Sequence, residues 1–509
     1  MSPNVIDIFD GASVFITGAT GFVGMALVEK LLRCVPNIKY IYVLIRPKKG
    51  VEVADRLKKV LEDRVFNKVR ESLGNDPFRK VIAVAGDVGE DNLGLKMEDR
   101  IEMKHKVNFI FHSAATLDFE ASLKTTVEIN LLGTKRVAEL SKEMPNLKAF
   151  VHVSSAYVNS NLKSADEVIY PAPAKVEDVI SLVQRDTESS LNDLAPKMMS
   201  DVGHPNTYTF TKALAEHVVA GIPNSVIIRP SMIVGAWKEP IPGWTNSKNG
   251  PQGFIMGAAK GVVRRLPVDK NLIYDYIPVD VVVNHMILAA WHVVKNKPRS
   301  TDVFHVTTST YKPFKWANVE NEVTQLLHKY PLKSAVWYPT LKLLPSLFLF
   351  RVSAFIFHMI PAYILDTVTR IGGGRPILVR LHTNVNKSLG RLAPFIFNEW
   401  LFDNKQSLAL HKSIPTAKER EMFGVDVGSL EWSAFFNDLA QGVREFLNNE
   451  SPKTLASARK KDKVLYVLNV VLQVFVVSGI WYAFSCVFGQ SMALSSFILP
   501  IIVFISSFL

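Results

Sequence analysis

The first half of the chain alternates short apolar, β-branched runs with longer stretches in which apolar positions recur every three or four residues. A strand covered on both faces reads as a continuous apolar run and a covering helix as a 3.6-residue stripe, so the alternation predicts a parallel sheet flanked by helices. The strand candidates are SVFIT, KYIYVLI, VIAVAG, VNFIFHSA, LKAFVHVSS and NSVIIRP. Helices are predicted over GMALVEKLLR after the first, VADRLKKVLEDRVFNKVRESL after the second and VEINLLGTKRVAELSKE after the fourth. The outline is a doubly wound α/β fold.

Beyond about Val268 the alternation fades, and LIYDYIPVDVVVNHMILAAWHVV predicts a strand, a turn and a helix that starts beside Asp280. The segment 336–371 is rich in large apolar residues but is interrupted by Pro339, Pro345, Arg351 and Pro361. It is expected to form helices buried in the protein or lying at an interface, or to line an apolar channel, in preference to a membrane span. After the break RIGGGRP, a helical region of mixed polarity over 372–452 predicts a second, smaller domain.

The final stretch differs in kind. VLYVLNVVLQVFVVSGIWYAFSCVFG, from Val464 to Gly489, carries no formal charge and follows Arg459, Lys460, Lys461 and Lys463. It exceeds the roughly 20 residues that a hydrocarbon core requires, and the basic cluster predicts a cytosolic near side. The closing FILPIIVFISSFL is short for a span and would pair as half of a hairpin or lie among headgroups. The expected organisation is therefore 1–335 for the α/β domain with its extension, 336–371 for the apolar segment, 372–452 for the helical domain and 464–509 for a membrane anchor.

Composition adds little to this division. A net charge of +12 on scattered lysines and arginines suits nucleic acid, an anionic membrane or a polyanionic cofactor equally. Two cysteines, Cys34 and Cys486, make a disulfide framework unexpected and fit a reducing compartment. The start, MSPNVIDIFDG, lacks the basic and apolar regions of a secretory signal, so the α/β part is expected in the cytosol.

The turn between the first strand and first helix reads TGATGFVG. A dinucleotide site requires a tight turn, close backbone approach to a pyrophosphate and a helix N-terminus facing the anion. In that assignment Gly18 permits the turn, Gly21 the approach and Gly24 the packing of helix on sheet; a glycine-rich turn without a ligand is the competing reading. About 20 residues further on, where a carboxylate would hold the ribose of NAD, the sequence instead has VLIRPKKG. Arg46, with Lys48 and Lys49 behind it, suits a 2′-phosphate with no carboxylate to repel it, which predicts NADPH. A solvated basic loop is the alternative, more for the lysines than for Arg46.

Reduction of a carbonyl also needs an acid for the oxygen that becomes negative. NTYTFTKALAE places Tyr208 and Lys212 four apart on one helix face, where an ammonium would lower the phenol from about 10 toward working pH. A surface pair is the bland alternative. AFVHVSSAYV ends a strand at Ser154 and Ser155, at the carboxyl edge where parallel sheets bind ligands, so one hydroxyl can hold a substrate oxygen while the other caps the loop.

Taken together, the glycine motif, AGD (Ala85 to Asp87), HSAA (His112 to Ala115), the serine pair, Tyr208/Lys212 and IIRPSMIVG resemble the extended short-chain dehydrogenase/reductases. VLIRPKKG, NTYTFTKALAE, IPVDVVVN and NEWLFDN narrow the resemblance to the alcohol-forming fatty acyl-CoA reductases, up to the terminal apolar region. The resemblance implies a Rossmann-type fold with a smaller helical C-terminal domain and a C-terminal anchor. It implies Tyr208 as proton donor, Lys212 as its modulator and ribose ligand, and Ser155, before the A-Y-V continuation, as the hydroxyl on the substrate oxygen. The cofactor would lie along Gly18, Thr20, Gly21, Phe22, Val23 and Gly24, with Arg46, Asp87 and Val88 around the adenosine. Ser113, Ala114 and Ala115 would follow the diphosphate-to-ribose path, and Pro230, Ser231 and Ile233 would border the nicotinamide. Asn130 would support a proton relay through water or stand as an exposed helix residue. No metal and no nucleic acid are implied.

The implied reaction is a four-electron reduction of a long-chain acyl-CoA, through a hemithioacetal and an aldehyde, to the fatty alcohol with release of CoA. Arg264 and Arg265 would meet the CoA phosphates or form a solvated surface pair. NEWLFDN would pack structurally or border an acyl channel. The implied location is the endoplasmic reticulum or peroxisomal membrane, with the catalytic part cytosolic. A membrane-bound hydroxysteroid or sugar-nucleotide oxidoreductase, or a non-catalytic protein that keeps the fold, are the alternatives.

Overall fold

The computed structural model describes residues 3–489 together with Ser496 and Pro500. Apart from Pro500, the closing apolar piece 497–509 lies outside the described residues. A seven-stranded sheet is built from β1 (Ser13–Thr17), β2 (Tyr40–Ile45), β3 (Val81–Ala85), β4 (Val107–His112), β5 (Ala149–Val153), β6 (Ser225–Pro230) and β7 (Asp302–Val306). The order is β7-β6-β5-β4-β1-β2-β3 and each pairing is parallel. Chain direction across the sheet reverses at β1, which leaves the crevice at its carboxyl end where doubly wound sheets bind ligands. This is the Rossmann-type architecture expected from the alternation. β7 had no counterpart among the strand candidates, because its five residues DVFHV carry Asp302 and His305 and give too short an apolar run.

Helices follow the predicted stripes with two instructive departures. α1 (Phe22–Cys34) covers β1 as expected. The long helix predicted after β2 breaks into Val53–Leu61, a tight turn Arg64–Phe66 and Asn67–Leu73. There Asp63 accepts a hydrogen bond from the Val65 amide at 2.8 Å and caps a new start, as short polar side chains do. The helix after β4 begins with a wide turn at Val127–Leu132 and continues as α2 (Gly133–Lys142). α3 (Thr207–Ala220) is capped by Asn206, whose side chain accepts from the Thr209 amide at 2.9 Å. α4 (Val279–Asn296) starts beside Asp280, which accepts from the amides of Trp237, Lys238 and Glu239 at 2.9, 2.8 and 3.1 Å.

The compact units are not consecutive lengths of chain. One holds the chain up to Asn246, Ile273–Phe314 and Glu399–Glu431; the other holds Ser247–Leu272, Lys315–Asn398 and the chain from Trp432 onward. They therefore interleave across the linear 1–335, 336–371 and 372–452 division, and NEWLFDN, from Glu399 on, sits with the sheet.

The second unit contains α5 (Leu347–Ile371), α6 (Leu378–Ile396) and α7 (Leu455–Val487), with a short parallel pair Arg265–Pro267 and Lys342–Leu344. α5 is continuous because its wide turn Phe355–Met359 precedes Pro361, which then falls in the first turn of a new helical register. Of the expected readings of this segment, burial in the protein is not what the structure has: only 28% of its most apolar window is buried. A solvated Arg264/Arg265 pair fails as well. Arg265 is buried, donates to Ser353 Oγ at 3.2 Å and lies 4.3 Å from the Phe357 ring centre, while Arg264 Nε donates to Thr340 Oγ1 at 3.2 Å. Burial pulls the Arg265 guanidinium down to about 10. α5 and the helix Pro452–Val487 are the two that are long and apolar enough to cross a membrane among the described residues, and the apolar C-terminal helices are consistent with an anchor.

Candidate active site

The glycine turn is shaped by contacts that a side chain would spoil. Gly18 has φ +75°, and a Cβ there would stand 2.8 Å from the Ala114 amide nitrogen. A Cβ on Gly24 would overlap the Gly18 carbonyl oxygen. The loop after β4 is tied to the same turn: Ser113 Oγ donates to the Thr17 carbonyl at 2.8 Å, and the Ala114 amide to Thr17 Oγ1 at 3.2 Å. Gly21 is the N-cap of α1 and no side chain caps the helix there, so the amides of its first turn face the carboxyl edge of β1. Thr20 and Gly21 are exposed and Phe22 and Val23 half-buried, which leaves the turn open to a ligand. A backbone cradle at an uncapped helix N-terminus fits the pyrophosphate of a dinucleotide.

Arg46 is 61% exposed at the end of β2, and its Nε lies 2.7 Å from Asp87 Oδ2. The expectation of a site without a carboxylate is therefore corrected: the acid comes from the end of β3 rather than β2. Asp87 also accepts from the Gly89 amide at 3.0 Å. Val88 is buried against Gly133, and Lys48 and Lys49 are exposed.

At the carboxyl end of β5 the two serines separate into different environments. Ser154 Oγ donates to Glu216 Oε1 at 2.5 Å and faces the interior. Ser155 Oγ accepts from the Tyr157 amide at 3.3 Å and lies close enough to the Tyr208 hydroxyl to pull that phenol down slightly. Lys212 Nζ does not pair with the phenol. It donates to the Val153 carbonyl at 2.6 Å and lies 3.2 Å from His152 Nε2. Consequently the expected lowering of Tyr208 by an ammonium is absent: burial pushes the phenol up to about 12, against a smaller opposing pull from Ser155. Burial likewise pulls Lys212 down to about 8. At neutral pH the site holds a protonated phenol beside a hydroxyl, with a charged lysine anchored one turn away.

Beneath this edge lies a polar layer. His112 joins Thr17 Oγ1 at 2.7 Å and Thr134 Oγ1 at 2.9 Å, and its ring centre is 5.2 Å from that of His152. Burial drives His112 down to about 3 and His152 well below its usual value, with Lys212 adding to both, so both rings are neutral. Asn130 is 1% exposed, so the exposed-residue reading is corrected; it accepts from the Thr116 amide at 2.9 Å and donates to Thr211 Oγ1 at 3.3 Å from inside the wide helical turn. β6 ends at Pro230. Ser231 donates its amide to the Val306 carbonyl at 3.1 Å, while its buried Oγ has no hydrogen-bond partner among the described residues. Ile233 is half-buried in a short strand paired with Tyr276–Pro278.

Several supporting residues escaped the sequence reading. Glu216 lies four positions after Lys212 on α3 and forms a fork with Arg229 of β6, at 2.9 Å to Nε and 2.6 Å to Nη2, with both side chains buried. A charged residue inside the apolar run NSVIIRP was the available signal, since arginine is seldom fully buried unless paired. NEWLFDN packs onto the loop after Ser155: the Trp400 and Phe402 ring centres are each 5.5 Å from that of Tyr157, and Trp400 Nε1 donates to the Ser160 carbonyl at 3.1 Å.

A family model described as Male sterility protein, of the NAD-binding type, matches residues 16–286, and a second model with the same description matches 357–450. A putative fatty acyl-CoA reductase of Drosophila melanogaster is 50% identical over 513 residues, covering 99% of each chain. Fatty acyl-CoA reductase 1 of Homo sapiens is 34% identical over 485 residues, covering 94% of this chain and 93% of the other. Among solved structures, the terminal R domain of the myxalamid PKS-NRPS pathway aligns with a TM-score of 0.54 at 18% identity, covering 86% of this chain and 91% of that one. The R domain of a non-ribosomal peptide synthetase from Mycobacterium tuberculosis does so at 0.53 and 16%, covering 87% and 92%. At those identities the structural likeness speaks for the fold alone.

Proposed function

We propose that this chain, which belongs to the fatty acyl-CoA reductase family, reduces a long-chain acyl-CoA to the fatty alcohol with two equivalents of NADPH, releasing CoA. The observation that carries the reading is a buried, protonated Tyr208 beside Ser155 at the sheet edge that also bears the glycine turn. The turn at Gly18, Thr20, Gly21, Phe22, Val23 and Gly24 would hold the diphosphate, Ser113 to Ala115 the path to the ribose, and Pro230, Ser231 and Ile233 the nicotinamide. Arg46, Asp87 and Val88 would border the adenosine. Arg46 with Lys48 and Lys49 supports the 2′-phosphorylated form, because a guanidinium matches a phosphate and Asp87 is already engaged by it. When bound, the cofactor supplies hydride to the carbonyl carbon, once per half-reaction.

The chain's own residues manage the oxygen. Ser155 and Tyr208 donate to the thioester oxygen as it becomes negative, and Tyr208 gives it a proton, forming the hemithioacetal. Its collapse breaks the C–S bond: the hydroxyl proton returns to the Tyr208 phenolate and CoA leaves as the thiolate, which takes up a proton from solvent to become the thiol. The aldehyde then meets the same two hydroxyls and leaves as the alcohol. A phenol at about 12 stays protonated between turnovers, and an alkoxide is basic enough to take its proton. The Lys212 ammonium offsets the phenolate that follows and is held in place by Val153 and His152. The α7 anchor, with Arg459, Lys460, Lys461 and Lys463 before its apolar length, keeps the catalytic unit on the cytosolic face beside the lipid that dissolves substrate tail and product.

Full-length protein in detergent, given NADPH and a long-chain acyl-CoA, should consume two NADPH for each CoA thiol released, with alcohol as the lipid product. A ratio of one with accumulating aldehyde would overturn the second half-reaction. Acyl-CoA-independent NADPH oxidation would overturn the substrate class.

A further inference from the structure

The exposed side of α5 carries an apolar stripe flanked by Arg351 and Arg370. Phe348, Phe355, Ile360, Ile364, Val368 and Ile371 recur at helical spacing and are 74, 58, 41, 59, 61 and 83% exposed. A face of this size on a helix in water needs a cover. Ser353, His358 and Asp366 turn the other way. Asp366 accepts from the amides of Ile377, Leu378 and Val379 at 3.1, 3.0 and 2.9 Å and so starts α6, and the His358 and His382 rings stack at 5.0 Å. α5 and α6 are thus one hairpin with an inner polar seam and an outer apolar face.

We propose that this hairpin lies flat in the headgroup layer of an anionic bilayer, beside the place where α7 enters the membrane. The proposal rests on the reading of α7 as an anchor and adds a second, monotopic lipid contact. Three observations select this occupant. The outer charges of 347–396 are Arg351, Arg370, Arg375, Arg380, Lys387 and Arg391, all exposed, while Asp366 is the one acid of the segment and is engaged within the hairpin. Basic residues flanking an apolar stripe match anionic headgroups. Next, the first half of the inner face is fixed to a charged segment: Arg265 donates to Ser353 Oγ and covers Phe357, and the Arg264 amide donates to His358 Nε2 at 3.0 Å. A spanning α5 would carry both arginines into hydrocarbon, whereas a flat one leaves them in the protein.

Finally, the anchor is close. Trp337 Nε1 donates to Asn469 Oδ1 at 3.0 Å and Tyr338 packs on Tyr466 at 5.3 Å, so α7 leaves the unit beside an aromatic pair. From Trp337 to Leu347 is a reach of at most roughly 35 Å even if the chain were fully extended. Lying flat, the hairpin would place apolar side chains where acyl tails emerge from the bilayer surface.

The test uses full-length protein in phosphatidylcholine nanodiscs containing phosphatidylserine, with Cys34 and Cys486 replaced by alanine. An NBD fluorophore is placed in turn at Ile364→Cys, Ile371→Cys, Val474→Cys within α7, and Glu322→Cys on the exposed side of an unrelated helix. Lipids carrying a nitroxide near the headgroup or deep in the chain serve as quenchers. The expected result is loss of emission at 364 and 371 with the shallow quencher, loss at 474 with the deep one, and none at 322. Deep quenching at 364 would overturn the flat orientation, and absence of lipid quenching at 364 and 371 would overturn the membrane contact. Failure at 474 alone would sink the anchor, a separate result read at a separate position. The combined Arg370→Glu, Arg375→Glu and Arg380→Glu variant should lose the shallow quenching at 364 while keeping the signal at 474; full retention at 364 would remove the anionic surface from the proposal.

Discussion

The sheet-bearing unit and the unit that holds α5 and α7 invert the usual placement of polarity in opposite ways. In the first, charge goes inside: Glu216 and Arg229 are buried and forked together, Lys212 is anchored to Val153 and His152, and Ser154 completes the set. In the second, apolar side chains go outside: Phe348, Ile364, Val368 and Ile371 are more than half exposed, as are Phe475 and Val474 on α7. Buried charge is costly unless fully paired, and exposed apolar surface is costly unless covered. Each cost has a counterpart in the proposals, buried charge around a site for developing charge and exposed apolar surface for contact with lipid.

The contrast can be broken most severely from the inside. Glu216→Ala strands the Arg229 guanidinium and removes the acceptor of Ser154, so denaturant unfolding should show a loss of about 3–5 kcal/mol. Next in size is acid sensitivity. His112, held near pH 3 when folded against an ordinary value of 6.5, stays neutral in the native state while the unfolded chain takes up a proton. Its contribution to stability is complete above pH 6.5 and is lost as pH falls from 6.5 toward 3, at about 1.4 kcal/mol per unit. His152 is shifted in the same direction, and urea midpoints measured across that range should fall less steeply in His112→Asn.

A smaller effect sharpens the account of the cofactor. Arg46→Ala should weaken NADPH binding by about 1 kcal/mol, the exposed guanidinium being partly screened, and leave NADH binding little changed, as read by fluorescence titration. At the small end, Ile364→Lys on the apolar stripe should leave stability in detergent within about 0.5 kcal/mol, as for other surface positions. A loss as large as that of Glu216→Ala would mean the stripe is a packing face after all.

Much of the catalytic unit was legible because its strands are buried on both faces and read as apolar runs, and because TGATGFVG and the Tyr208/Lys212 spacing report local geometry. What escaped was set by contacts between distant segments. The direction of Lys212 depends on His152 and Val153, 60 and 59 residues away. The acid that meets Arg46 comes from another strand, 41 positions on. Pro361 reads as an interruption in α5 until the wide turn before it is seen, and Arg264 and Arg265 read as surface until Ser353 and Phe357 cover them. The distinction between Ser154 and Ser155 is likewise made by Glu216 and Tyr208, one on each side of the strand end.

The proposed reaction requires Tyr208, protonated and beside Ser155, to donate to the oxygen of an acyl-CoA. Its most direct test is the lipid product profile of full-length wild type and Tyr208→Phe with NADPH and a long-chain acyl-CoA, alongside a melting curve and NADPH titration of both. The account expects alcohol from wild type and a roughly 10²–10⁴-fold slower rate in the variant, with fold and NADPH affinity retained. Alcohol formed at an undiminished rate by a folded Tyr208→Phe would contradict it.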